Sequence, residues 1–361
     1  MKLIIQPGDG VDRIIKGIRK AKKSVEIMLF RFDQPEIERA LIDAVERGLF
    51  VHALIAFTNH GGEAKLRKLE MRFLASGITV ARTAGDLVRY HGKIMIVDGK
   101  ELYLLAFNFT PLDIQRTRSF GIVTRNPKLV AEAARLFEAD TKRQDYAAGY
   151  HDFVVSPVNA RRELTKFIKN AEKELLIYDP KISDHAMLRL LDERRAAGVK
   201  IRVIGKVSGD RLPACELKRM RLHTRTIIRD GTHAFIGSQS LRQLELDARR
   251  EIGVIFRDGS ILKDLIRIFE EDWAASSSKE LKKDVAKPSK PLAKRVIRVA
   301  HSVTKKIAVG QVAAKVTKAI SKRADGNVSK KKINGKVEEI VKDLVERTAK
   351  QVAVEAAKTV A

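Results

Sequence analysis

Apolar positions along this chain recur in two rhythms. In RIIKGIRKAKKSVEIMLF (residues 13–30) they first return at intervals of three and four, then crowd into a short run. That switch predicts a basic amphipathic helix followed by a buried strand. ELTKFIKNAEKELLIYDP (163–180) has the same design. Each stretch continues through a second helical segment to a glycine and another apolar run: LIDAVERGLFVHALIAF (41–57) and MLRLLDERRAAGVKIRVIGKV (187–207). Gly48 and Gly198 stand where a glycine C-cap is expected. Strand, helix, strand in that order predicts a βαβ unit in each half, with a sheet covered by helices.

The halves stay in step further on, at an offset of 132 residues. YHGKIMIVDGKELYLLAF (90–107) matches LHTRTIIRDGTHAFIGSQ (222–239), and FGIVTRNPKLVAEAARLFEAD (120–140) matches IGVIFRDGSILKDLIRIFEED (252–272). Asp98-Gly99 and Asp230-Gly231, each between apolar runs, predict tight hairpins. The pattern predicts a duplicated α/β module, with halves at 1–150 and 151–275. After Trp273 the rhythm breaks at ASSSKELKKDVAKPSKP, a linker-like stretch. Beyond it, Val and Ile recur among lysines at helical spacing, which predicts an amphipathic helical tail over 276–361.

Composition narrows the partners. The 361 residues are 44% hydrophobic, enough for two cores, and Cys215 is the only cysteine, so neither an intrachain disulfide nor a cysteine metal cluster can form. The start MKLIIQPGDG has too few apolar residues for a secretory leader. No run of about 18 apolar residues occurs, so no membrane-spanning segment is expected. A net charge of +26 calls for an anionic partner, phospholipid surface or nucleic acid. The tail alone has 22 Lys/Arg against 8 Asp/Glu, a net +14, without a single Phe, Tyr or Trp. Lacking rings for base stacking, it favours an anionic membrane over single-stranded nucleic acid, and leaves duplex binding open. The expected location is the cytoplasm, peripheral on the inner membrane face.

The chemistry concentrates in YHGKIMIVDGK, residues 90–100. On a strand, alternation puts His91 and Lys93 on one face and Ile94 and Ile96 on the other. An ammonium beside an imidazole keeps the ring neutral and can also hold a phosphate oxygen. That pairing suits nucleophilic attack on a phosphodiester. His223, Arg225 and Asp230 repeat the spacing of His91, Lys93 and Asp98, with Arg in place of Lys. Two histidines on related strands can meet across an interface, one attacking phosphorus and the other protonating the leaving oxygen.

These paired H-x-K/R-x-x-x-x-D motifs resemble those of the phospholipase D superfamily, over roughly residues 13–275. With LAFNFT and FGIVT after the first motif, the chain looks most like the cardiolipin synthase and phosphatidylserine synthase-like branch. The resemblance implies two α/β/α sandwich halves about a pseudo-twofold, with one active site between them. One chain holding both motifs makes a monomer sufficient for that site. It also implies a covalent phosphohistidine resolved by water or an alcohol, with no metal and no cofactor.

Carried over residue by residue, the pattern is uneven. Leu105 and Ala106 replace the Gly and Ser of the first G-S-x-N element, though Asn108 remains. The second keeps Gly237 and Ser238 but has Ser240 where Asn is usual. Glu251 follows His223 by 28 residues, whereas Ser119 occupies that place after His91. On this reading Glu251 backs His223, making it the general acid and leaving His91 as nucleophile. Asn108, Ser238 and Ser240 are expected to donate hydrogen bonds to the non-bridging oxygens. Asp98 and Asp230, at the turns, fit a structural role better than a chemical one. His52, His60, His151, His185, His233 and His301 belong to no paired motif and read as structural or exposed.

The sequence therefore supports a phosphodiesterase or phosphatidyltransferase acting on phospholipid. A nuclease or DNA-end phosphodiesterase with the same site is the first rival. A binding protein with eroded motifs is the second, with Arg225, Ser119 and Ala106 in its favour.

Overall fold

The computed structural model describes residues 1–57, 63–209 and 212–277. The expected helical tail lies outside the described residues apart from its first positions. Met1–Ser278 forms one compact unit containing both halves of the repeat. The first half runs β1 (Lys2–Gln6), α1 (Asp12–Lys20), β2 (Ser24–Leu29), α2 (Pro35–Glu46), β3 (Phe50–Ile55), α3 (Glu63–Ala75), β4 (Thr79–Arg82), β5 (Arg89–Tyr90), β6 (Ile94–Val97), β7 (Glu101–Leu105), α4 (Pro111–Gln115), β8 (Thr117–Thr124) and α5 (Pro127–Lys142). The second runs β9 (Phe153–Val155), α6 (Ala160–Lys169), β10 (Glu174–Ile182), α7 (His185–Ala196), β11 (Lys200–Val207), β12 (Ala214–Cys215), β13 (Arg221–Leu222), β14 (Arg225–Arg229), β15 (His233–Gly237), α8 (Gln243–Asp247), β16 (Arg249–Arg250), β17 (Ile252–Phe256) and α9 (Gly259–Ser277).

The predicted βαβ units form β2–α2–β3 and β10–α7–β11, with parallel strand pairs. Gly48 and Gly198 close their helices at φ +83° and +92°. The next amides, of Leu49 and Val199, return to the Ala44 and Arg194 carbonyls, satisfying helix-end acceptors. One sheet has the order β1-β8-β7-β6-β2-β3-β4, the other β12-β11-β10-β14-β15-β17-β9.

Each sheet is covered on both faces. Ile94 and Ile96 of β6 enter the cluster that joins the two sheets with α5 and α9. Met95 and Val97 point the other way, to the layer of α1, α2 and α3. In the second half α6 and α7 cover the outer face in the same manner. Burial on both faces explains why these strands read as continuous apolar runs. Each fully buried aliphatic side chain contributes about 1.5–3 kcal/mol.

Short strand pairs stitch the halves together. β16 pairs in parallel with β5 (Arg249 with Arg89, Arg250 with Tyr90), and β13 pairs with β8 (Arg221 with Thr117, Leu222 with Arg118). The strands that lead into the two histidines are thus held by backbone from the opposite half.

Asp98 and Asp230 occupy the hairpin turns at φ 54° and 53°. Asp98 accepts the backbone N–H groups of Lys22, Lys23 and Ser24. Asp230 accepts those of Glu172, Lys173 and Glu174. Each carboxylate ties its turn to the connection from helix to strand, at the opposite end of β6 or β14 from the histidine. Although they belong to the motif, they are positioning residues of the scaffold.

Candidate active site

His91 and His223 meet at the seam, ring centroids 6.3 Å apart and planes inclined by 72°. Both are 7% exposed. The continuous strand expected over the first motif is interrupted: residues 91–93 lie outside the strands and β6 begins at Ile94. The reason is the crossed pairing, since the His91 amide donates to Arg250 O at 2.7 Å rather than to a neighbour in its own sheet. His223 donates likewise to Arg118 O at 3.1 Å.

That crossing overturns one expectation. Glu251 follows Arg250, so it is delivered to His91, whose Nδ1 lies 2.8 Å from its Oε2. It does not back His223. The symmetric place beside His223 falls to residue 119, a serine, and His223 Nδ1 donates instead to the Ala106 carbonyl at 2.8 Å. A carbonyl only accepts, and so does an ionised carboxylate. Both rings therefore carry their proton on Nδ1 and keep the Nε2 lone pair for chemistry. Phe30 packs edge-on against His91, with centroids 4.6 Å apart.

The electrostatics follow from burial. His91 is held well below the usual imidazole range, first by burial and then by Lys93. His223 is lowered the same way, first by burial and then by Arg225, while Asp113 pulls it back up. Burial raises the Glu251 carboxyl, opposed by Lys93 and Arg225. Burial also brings the Lys93 ammonium down to about 7.

The two cations are placed alike. Lys93 Nζ donates to the His91 carbonyl at 2.6 Å, and Arg225 Nη1 to the His223 carbonyl at 2.7 Å. The larger guanidinium has nitrogens to spare. Its Nε donates to Ser240 Oγ at 3.0 Å, and Nη2 lies 3.6 Å from Glu245. Ser240 is the counterpart of Asn108, so a smaller side chain stands where the longer cation needs room. The two departures from the family pattern are one linked change.

Asn108 gives its backbone and side-chain N–H groups to Asp113 Oδ2, at 2.9 and 2.6 Å. The Ser238 hydroxyl is taken up by the backbone of Ile252, accepting from its N–H at 3.1 Å. Of the three expected donors, Asn108 retains one amide hydrogen and Ser240 its hydroxyl hydrogen, whereas Ser238 serves the strand end.

Sequence reasoning missed Asp113 and Glu245. Both are buried, at 2% and 1% exposure, and each follows its Asn108 or Ser240 by five residues. They also stand 132 apart, the repeat offset, which is the signal that could have found them. Asp113 binds Arg221 across the seam at 2.6 Å, while Glu245 gathers Arg225, Arg242 and Arg249. Arg89, counterpart of Arg221, makes no such pair among the described residues and lies over the Phe30 ring at 5.4 Å. Arg31 and Lys93 stand over the same ring at 5.8 and 5.6 Å. Among the described residues no group of three or more His, Cys, Asp or Glu is arranged to hold a metal ion. No described helix is long and apolar enough to cross a membrane.

Comparison with known proteins gives a consistent picture. A family model described as cardiolipin synthase, PLD-like domain matches residues 14–141 and again 164–273. A zebrafish (Danio rerio) mitochondrial cardiolipin hydrolase is 29% identical over 135 residues, 35% of this chain and 56% of that protein. The chain thus spans about half the length of the curated relative it matches. Phosphatidylserine synthase of Haemophilus influenzae Rd KW20 superposes with a TM-score of 0.59 at 10% identity, over 75% of this chain and 85% of that one. Polyphosphate kinase of Porphyromonas gingivalis gives 0.63 at 19% identity, over 74% of this chain and 49% of that one. At such identities these two structures speak for the fold.

Proposed function

This chain belongs to the cardiolipin synthase, PLD-like domain family, and from that premise we propose that it is a phospholipase D-type phosphodiesterase or phosphatidyltransferase acting on phospholipid. The observation that carries the reading is the facing pair of imidazoles. Each has its Nδ1 anchored by the opposite half and a cation beside it. Two free Nε2 atoms can then flank one phosphorus.

His91 attacks. Its Nε2 lone pair forms the N–P bond, and Glu251 on Nδ1 stabilises the positive charge that grows on the ring. Lys93, with two N–H donors left after the His91 carbonyl, holds the non-bridging oxygens. The bond from phosphorus to the leaving alcohol breaks, and protonated His223 delivers its Nε2 proton to that oxygen. The arriving phosphate anion opposes the burial that otherwise keeps His223 neutral, with Asp113 adding to it. In the second step His223 takes a proton from water or an acceptor alcohol. The resulting oxygen attacks phosphorus, the N–P bond breaks and His91 is regenerated.

Purified protein offered labelled phosphatidylglycerol, phosphatidylcholine and DNA in parallel tests the substrate class. Release or exchange of a lipid head group is expected, abolished by His91→Ala. Cleavage of DNA alone would replace the lipid reading with a nuclease, and no turnover of any of the three would favour a binding protein.

Lys93 adds an alkaline limb of its own, above the one set by proton donation from His223, whose ring burial holds below the usual imidazole range. With its pKa near 7, the Lys93 ammonium is present below that pH and lost above it. The value of kcat/KM, which reports the free enzyme, should fall by a further factor of about ten for each pH unit above that point. Lys93→Arg keeps the charge and should move this second limb upward, at reduced overall rate. An unchanged second limb in that variant would assign it to another group.

A further inference from the structure

A second cavity opens at the far end of β14 from the catalytic pair. Arg225 and Arg229 begin and end this strand, so the two places are separated by about 14 Å of extended backbone. The cavity has a volume of about 490 Å³, within the range of pockets that take small ligands. Its walls combine aromatic rings, among them Tyr150 and Phe167, with the cations Lys166, Arg229 and Arg257.

The repeat shows what is unusual here. In the first half, Arg125 pairs with Glu101 at 2.8 Å, and Tyr103 donates to the same carboxylate. At the repeat offset, Arg125 becomes Arg257, Glu101 becomes His233, and Val97 becomes Arg229. One negative charge is removed and one positive charge added. The Arg257 guanidinium accordingly has no hydrogen-bond or ion-pair partner among the described residues, and neither has the Lys166 ammonium. The carboxylates of the lining are already engaged: Asp152 by Tyr150 and His151, Glu163 by Arg162.

Arg229 is preorganised to receive an anion. Its guanidinium lies 4.6 Å from the Phe167 ring centroid, and Nη1 donates to the Phe167 carbonyl at 3.1 Å. The remaining nitrogens stay available. His233 also lines the cavity, its Nδ1 bonded to Thr232 Oγ1 at 2.8 Å, and brings no negative charge where Glu101 stands in the first half.

We propose that this cavity is a second anion site, taking a phosphate monoester with a small apolar or aromatic body. The phosphate would lie among Arg229, Arg257 and Lys166, and the body against Phe167 and Tyr150. None of these residues touches the catalytic pair, so occupancy is separable from turnover.

Equilibrium dialysis of the full chain with labelled phenyl phosphate tests it, comparing wild type with Arg257→Glu and with Lys93→Gln. Two bound equivalents are expected for the wild type. Arg257→Glu should lose one, weakened at least tenfold, with turnover and melting temperature unchanged. Lys93→Gln should lose the other. Arg257→Gln, which removes the charge without reversing it, should weaken the same equivalent less. Inorganic phosphate should bind that place about tenfold more weakly, for want of the apolar contact. Binding unchanged in both Arg257 variants, or phenyl phosphate no tighter than phosphate, would overturn the proposal. Dihexanoyl phosphatidic acid in the same assay separates the sources. Its capture, lost in Arg257→Glu, assigns the site to a lipid head group, and its exclusion beside bound phenyl phosphate assigns it to soluble esters.

Discussion

Glu251→Gln is expected to lower the rate of phosphoenzyme formation by about 10³–10⁴-fold while leaving the fold intact. The substitution is nearly isosteric, so the consequence lies in the proton. Glu251 accepts from His91 Nδ1 at 2.8 Å and leaves Nε2 with its lone pair. A glutamine amide can present its own N–H there instead. Nδ1 then becomes the acceptor, the ring proton moves to Nε2, and the nucleophilic lone pair is gone. The carboxylate charge that stabilises the growing imidazolium is lost as well. Rapid quench with a labelled p-nitrophenyl diester measures the step directly, and thermal unfolding controls for stability. A Glu251→Gln protein that forms phosphoenzyme at the wild-type rate would remove Glu251 from the mechanism.

His223→Ala should divide substrates by their leaving groups. With an alkyl alcohol the departing oxygen is basic and needs the proton, so turnover should fall by about 10²–10⁴-fold. With p-nitrophenol the proton matters little, and the first step should stay within about tenfold of wild type. The second step, which needs a base to activate water, remains crippled. Phosphohistidine should therefore accumulate at His91 and be recovered there by peptide mapping. Label on His223 in a His91→Ala protein would reverse the assignment.

The repeat, the hairpins and the helix ends were legible because they depend on local rules. A period of 3.6 or 2, a glycine past a helix and an Asp-Gly turn each act within a few residues. The histidines and their cations were legible for the same reason, through their shared spacing. The partner of Glu251 was not. Its spacing from His223 points to its own half, while the β16–β5 pairing delivers it to the other. Register across a seam is decided by tertiary pairing, which no local pattern encodes. Arg225 and Ser240 likewise read as two separate losses until the 3.0 Å bond between them shows one accommodation. His233 read as an ordinary exposed or structural residue because a cavity is a property of packing.

The crossed pairing has a bearing on how such a chain diverges. In a symmetric dimer of identical subunits, any contact made by one copy is made by both, so both histidines would have to share the same kind of anchor. With two copies on one chain that obligation lapses. His91 has a carboxylate, Glu251, whereas the matching place beside His223 holds Ser119 and the ring turns instead to the Ala106 carbonyl. On one chain the two anchors can differ, and substitutions beside one ring leave the other unchanged.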